Sequence, residues 1–129
     1  MRATQLLPLA AVLSLAAAHP ARAADCLDSQ SAARIAGKLV NEMFHDAAGR
    51  PERAWILVLD EPACLTGPDE FDRVEKAETL HVAPAEQDLA PRFERLMGKI
   101  VVVEGTPFGA HTAHHHAPIV MMVSSIAPR

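Results

Sequence analysis

Apolar positions along the chain fall into separate blocks, divided by clusters of Gly, Pro and charged residues. The first block, Leu6 to Ala18, is interrupted only by Pro8 and Ser14. It follows the basic start Met1-Arg2 and precedes Ala21-Arg22-Ala23, a small-x-small sequence. This pattern predicts an export signal peptide over residues 1–23, cleaved after Ala23. The block is shorter than the roughly 20 apolar residues of a membrane span, and no later block reaches that length. Residues 24–129 are then the folded domain.

Within that domain the spacing changes from block to block. Ala32 to Phe44 sets Ile35, Leu39 and Phe44 around Gly37, with Val40 on the opposite parity. It predicts a long strand bending at the glycine, and a helix is the competing reading. His45 to Arg53 is a polar turn with Gly49 and Pro51. Trp55-Ile56-Leu57-Val58-Leu59 predicts a buried strand ended by Asp60-Glu61-Pro62. Thr66 to Glu75 is acidic and reads as a solvated loop, because it lacks the alternating ligands of a calcium loop. Thr79 to Ala83 alternates as a third strand. Asp88 to Met97 places Leu89, Phe93, Leu96 and Met97 at helical spacing, with Pro91 in the first turn and Gly98 at C′. Lys99 to Glu104 predicts a strand, loosened afterwards by Gly105, Pro107 and Gly109, and Pro118 to Ile126 predicts the last one.

The order is β-β-β-α-β-β, so the fold class is all-β with one helix. It matches a small OB-like five-stranded barrel, with an SH3-like barrel or a small open sheet as alternatives. Closure would hide strand edges that a chain rich in Val and Ile cannot safely expose. Ile35, Leu39, Ile56, Val58, Leu80, Phe93, Leu96, Val101, Val103, Val120 and Met122 are the expected core.

Composition narrows the functions. The 129 residues are half hydrophobic and 22% charged, an ordinary globular balance. A formal charge of -4 excludes a basic nucleic-acid footprint. One Trp, four Phe and no Tyr leave little for stacking bases. No P-loop, HExxH or GxGxxG is present, and Ser124 and Ser125 lack nucleophile-elbow glycines. Asp60-Glu61 can be imagined beside His115 as an acid–base pair, which sequence alone does not place.

Cys26 and Cys64 are the two cysteines. In an oxidising compartment an even pair is most simply a disulfide, here closing a loop of 39 residues. Two separate thiols serving as soft metal ligands are the alternative. Asp25 before Cys26 is not the small residue that lipid attachment requires.

Four of the seven histidines lie between positions 111 and 116. In an extended backbone His114 and His116 point to one side and His115 to the other. With His111 reaching back across the turn, three imidazoles can be offered to Zn²⁺, Cu²⁺ or Ni²⁺. Met121 or Met122 can add a thioether, and Glu104 or His81 a fourth group. The competing reading makes the histidines a structural loop, with Thr112 satisfying a turn and ring nitrogens bonded to backbone. A small polar ligand held by the loop, with Thr112 and His115 against it, is a third.

Several stretches together resemble a known family. They are Cys26, Ile35-Ala36-Gly37-Lys38-Leu39, Trp55-Ile56-Leu57, Leu59-Asp60-Glu61-Pro62-Ala63-Cys64, Leu96-Met97-Gly98-Lys99, Val101, Val103, Gly105, and Ala110-His111-Thr112-Ala113-His114-His115-His116-Ala117-Pro118-Ile119-Val120. They resemble an uncharacterised domain-of-unknown-function family of small secreted bacterial proteins with a C-terminal A-x-T-x-H-H-H-x-P motif. Thr106-Pro107-Phe108 departs from it, a Leu without the Pro being usual before the Phe. That departure puts regular pairing of the strand end in question. The resemblance brings no established activity. The sequence therefore leads to an expectation of a periplasmic binding module with a metal ion or small ligand on the histidine loop; enzymatic activity stays open, a metal-dependent hydrolase ranking last because no candidate base accompanies the ligands. The alternative is a protein–protein interaction or envelope-stress module that uses the loop only as structure.

Overall fold

The computed structural model describes residues 25–129. The expected signal peptide, residues 1–23, lies outside the described residues. The strands are β1 (Leu27–Asp28), β2 (Ala33–His45), β3 (Pro51–Thr66), β4 (Val74–Pro84), β5 (Ile100–Gly109) and β6 (Ile119–Pro128), and the helix α1 is Ala90–Leu96. β2 pairs antiparallel with β3 and β5, β3 with β4, and β5 with β6. Parallel pairing of β4 with β6 closes the ring. The result is the expected OB-like five-stranded barrel, and the two-residue β1 lies parallel to the end of β3. Among the described residues no helix is long and apolar enough to cross a membrane.

β2 is a strand because it has a partner on each side. It changes partner at the bend, with Ala33–Lys38 facing β5 and Gly37–His45 facing β3. β3 is longer than its apolar run. The polar turn before it is confined to Asp46–Arg50, and Asp60-Glu61-Pro62 do not end it. β2 leaves β3 at Leu59, and the register against β4 slips between Val58 and Ala63. Pro62 therefore falls where no regular ladder requires its missing N–H. Pro107 is accommodated similarly. The β2 partner of β5 stops at Gly105, and β5 continues to Gly109 against β6 alone. Pairing of the strand end thus persists.

The interior is one cluster with an inner row Leu39, Leu57, Leu80 and Ile119 across four strands. Phe93 of α1 is fully buried in it and its ring lies 5.8 Å from that of Trp55. The helix stops as expected, with Gly98 at φ 78 donating its N–H to the Leu39 carbonyl at 2.7 Å. Parity departs from expectation in two strands. Leu57, not Ile56 and Val58, faces the core, and Ile119, Met121 and Val123 do so rather than Val120 and Met122. Val58 and Met122 are 39% and 43% exposed. Ile56 and Val120 are buried, yet they stand outside the core cluster on the outer face. Ile35 and Leu96 pack against the core from its margin.

Cys26 and Cys64 are disulfide-bonded, which fastens the start of the described chain to β3 and leaves no free cysteine among the described residues. The acidic stretch is not wholly a solvated loop. Glu70–Asp72 forms a 3-10 turn, and Asp72 is only 4% exposed.

Candidate functional site

Strand register sets an outer row of Val40, Ile56, His81, Val120 and Phe108, running from β2 through β3, β4 and β6 to β5. Phe44 and Glu52 are paired further along β2 and β3, on the same side because side chains alternate with period two. The segment joining β5 to β6 folds back over this face. Its ends are drawn together by Ala110 N–H donating to the Pro118 carbonyl at 3.0 Å. Its turn is held by His115 N–H on the Thr112 carbonyl at 3.1 Å and His114 N–H on Thr112 Oγ1 at 3.3 Å. Thr112 thus performs its expected turn role.

The entry to the segment is fixed from below. A Cβ on Gly109 would run into the Phe71 carbonyl oxygen, so only glycine lets the 3-10 turn lie this close to β5. There the buried Asp72 carboxylate accepts the Gly109 N–H at 2.8 Å. A carboxylate is taken out of water here to hold the base of the histidine loop.

Each histidine of the segment, and His81 beside it, then has a partner that fixes which ring nitrogen carries the proton. The Glu52 carboxylate can only accept. His114 donates to it from Nδ1 at 2.7 Å and His116 from Nε2 at 3.0 Å. His111 donates from Nδ1 to the Gly109 carbonyl at 2.9 Å. His115 is reversed, its Nδ1 accepting the backbone N–H of His111 at 3.0 Å and of Thr112 at 3.3 Å. His81 is reversed too, with Nδ1 accepting the His116 N–H at 3.1 Å. His116 stacks on Phe44 with ring centres 4.3 Å apart and planes within 6°. His111 stands with Phe71 and His115, at 4.5 and 4.7 Å between ring centres.

Electrostatics agree with these roles. The hydrogen bond from His114, then that from His116, holds the Glu52 carboxyl below its usual range. Burial, then the neighbouring His116 and His115, lowers the His81 pKa, which favours the neutral ring needed to accept. Burial, then His111, lowers that of His115.

Of the expected ligands, the structure brings His114 and His116 to one point and leaves His111 in a separate pairing with His115. Among the described residues, no group of three or more His, Cys, Asp or Glu side chains already stands in an arrangement that could hold a metal ion. His81 does join the cluster. Glu104 is instead near Arg34 at 3.9 Å, and Asp60 is paired with Arg129 at 3.6 Å rather than serving His115. Met121 is core and Met122 is outside. Glu52, Phe44 and Asp72 were not read as site residues from the sequence. For Glu52 the available signal was slight, a lone carboxylate two residues from a hairpin turn.

The architecture therefore defines an OB-like β-barrel with a histidine-bearing segment folded over one outer face. Residues 79–127 match the model of a family described as a domain of unknown function, DUF4431. That stretch takes in α1, β5, the whole histidine segment and most of β4 and β6, and it excludes Glu52 and Phe44. No curated protein matches the chain.

Proposed function

We propose that the chain is a small exported binding module that takes a divalent transition-metal ion, Zn²⁺ or Cu²⁺, on its histidine-bearing face. One observation carries the reading. His114 and His116 converge on one carboxylate, whereas His115 between them turns back to the backbone. Imidazoles converging from one side are the donors these ions prefer. His111 is the third imidazole within the segment. Export to the periplasm is supported by the pattern of residues 1–23 and by the disulfide, the state cysteines hold in an oxidising compartment. Intact mass of protein recovered from the periplasm should correspond to residues 24–129, and retention of 1–23 would refute the cleavage.

Calorimetry on tag-free protein tests the binding. A dissociation constant below about 10 μM is expected, weakening as pH falls through about 6.5 because the ligating imidazoles must be neutral. His114→Ala should weaken binding more than His115→Ala, and equal losses would reject the assigned geometry. A second reading rests on the His115 bonds and the Phe44–His116 stack, which together would make the segment a structural roof on a protein-interaction module. Absence of binding by the wild type would favour it.

A further inference from the structure

We propose that the split between β2 and β3 is a second binding surface, which takes an extended basic segment of a partner protein as an added strand. It shares no residue with the histidine-bearing face, so it stands independently of the metal reading.

An open strand edge carries the proposal. β2 and β3 part at Gly37 and Leu59, the last pair of their register. Beyond that point β2 runs on against β5 alone, and among the described strands Asp60, Glu61 and Pro62 have no ladder partner. The Leu39 N–H donates to the Lys99 carbonyl at 3.0 Å, and its carbonyl accepts the Gly98 N–H, both on the β5 side. Alternation then turns the backbone N–H and C=O of Ala36 and Arg34 the other way, into the split. Unpaired groups of this kind are a template for a further strand. The same gap already accepts one at its far end. There β1 lies parallel to Leu65 and Thr66, with β4 on the other side of Leu65.

Shape and charge define the occupant. The split forms a cleft of about 470 Å³, within the roughly 300–1,000 Å³ of clefts that hold ligands. Its floor is apolar, because Leu27, Ile35 and Ala63 pack on the margin of the core and are only partly buried. Its mouth is acidic, with Asp25, Asp60 and Glu61 against one cation, Arg129. Carboxylates there repel phosphate and attract ammonium or guanidinium groups. The Arg129 guanidinium itself stands 3.6 Å from the Asp60 carboxylate, so a basic side chain already occupies the position the partner's would take. Both side chains are largely exposed, and such a pair exchanges at little cost. Residues 33–36 of β2 offer about 13 Å of edge, the length of one short strand. A segment alternating apolar and basic residues sets its apolar side chains on the floor and its charges at the mouth, while its backbone bonds to Arg34 and Ala36.

Nuclear magnetic resonance on the purified, tag-free protein tests this in two stages. Without any peptide, the Arg34 and Ala36 amides should exchange with solvent faster than that of Ile35, which faces β5. Equal protection would mean that the edge is not open. The probe is then a capped five-residue peptide of alternating valine and arginine. It should shift the amides of Arg34, Ala36 and residues 60–63 and saturate with a dissociation constant below about 1 mM. It should also slow exchange at Arg34 and Ala36. The same peptide with its backbone nitrogens methylated should bind at least about tenfold more weakly, since it cannot donate to the edge. Glutamate in place of arginine should cost as much, because like charges then meet at the mouth. Arg129→Ala, which releases Asp60, should tighten binding up to about threefold. Equal binding of the methylated peptide, shifts centred elsewhere, or the absence of saturable shifts overturns the proposal. So does protection of Arg34 and Ala36 that rises with protein concentration alone, which would assign the edge to a second copy of the chain.

Discussion

The two faces of β3 are held by different physics. Inward, Leu57 and Leu65 join a cluster whose cohesion is non-directional and spread over many neighbours. Outward, Glu52 is bonded to two particular nitrogens, and the roof above it depends on a handful of directional contacts. The interior tolerates small errors in any one side chain as long as volume is kept. The roof does not, because each ring has one correct tautomer, set by particular partners. Stability should therefore reside inside and chemistry outside.

The sharpest way to break that separation is from within. Phe93→Ala should cost about 3–5 kcal/mol in chemical denaturation, since the helix loses its plug, and Zn²⁺ affinity of the folded fraction should be unchanged. A loss below about 1 kcal/mol would mean that α1 does not close the barrel end. Cys64→Ser should cost about 2–5 kcal/mol, again without moving the metal affinity. Recovery of two thiols from protein purified without reductant would refute the bond. Asp72→Ala tests the border between the faces. It leaves the Gly109 N–H unpaired and should cost about 1–3 kcal/mol, with amide exchange at the loop faster than in the barrel. Uniform acceleration would make Asp72 part of the interior.

The smallest expected effect is on pH. His81 and His115 have lowered pKa values in the fold, whereas the unfolded chain takes up protons near about 6.5. Their contribution is fully present above about 6.5 and is lost as pH falls through the lowered folded values. Glu52 extends the loss further into acid, because its carboxyl is also held low. Melting temperatures measured between neutral and mildly acid pH should fall in parallel for the wild type and Phe93→Ala, and less steeply for His81→Asn. A changed slope in Phe93→Ala would couple the two faces.

The element order, the helix with its Gly98 stop, the disulfide and the histidine segment were all legible in the sequence, because each rests on local spacing or on one residue type. Parity was not legible in β3 and β6. Trp55-Ile56-Leu57-Val58-Leu59 and Ile119-Val120-Met121-Met122-Val123 are continuous apolar runs, and only alternation tells inside from outside. The physical cause lies on the outer face, where Ile56 and Val120 are buried although they do not join the core. Glu52 was illegible for a different reason. It is 62 residues from His114 and 64 from His116, and nothing local announces a partner at that distance. Asp72 was lost among its acidic neighbours, whose exposure hides the one that is buried.

The parallel pairing of β6 with β4 has a kinetic consequence. Among the described strands β6 comes last in chain order, and it is bonded on both sides, to β4 and to β5. Until its ten residues are available, both of those neighbours keep an open edge. The ring therefore cannot form progressively during synthesis, and closure waits for contacts between parts of the chain that are far apart in order. The histidine segment immediately precedes β6, so it acquires its geometry in the same late event. The barrel and the candidate site are therefore completed together, when β6 docks between β4 and β5.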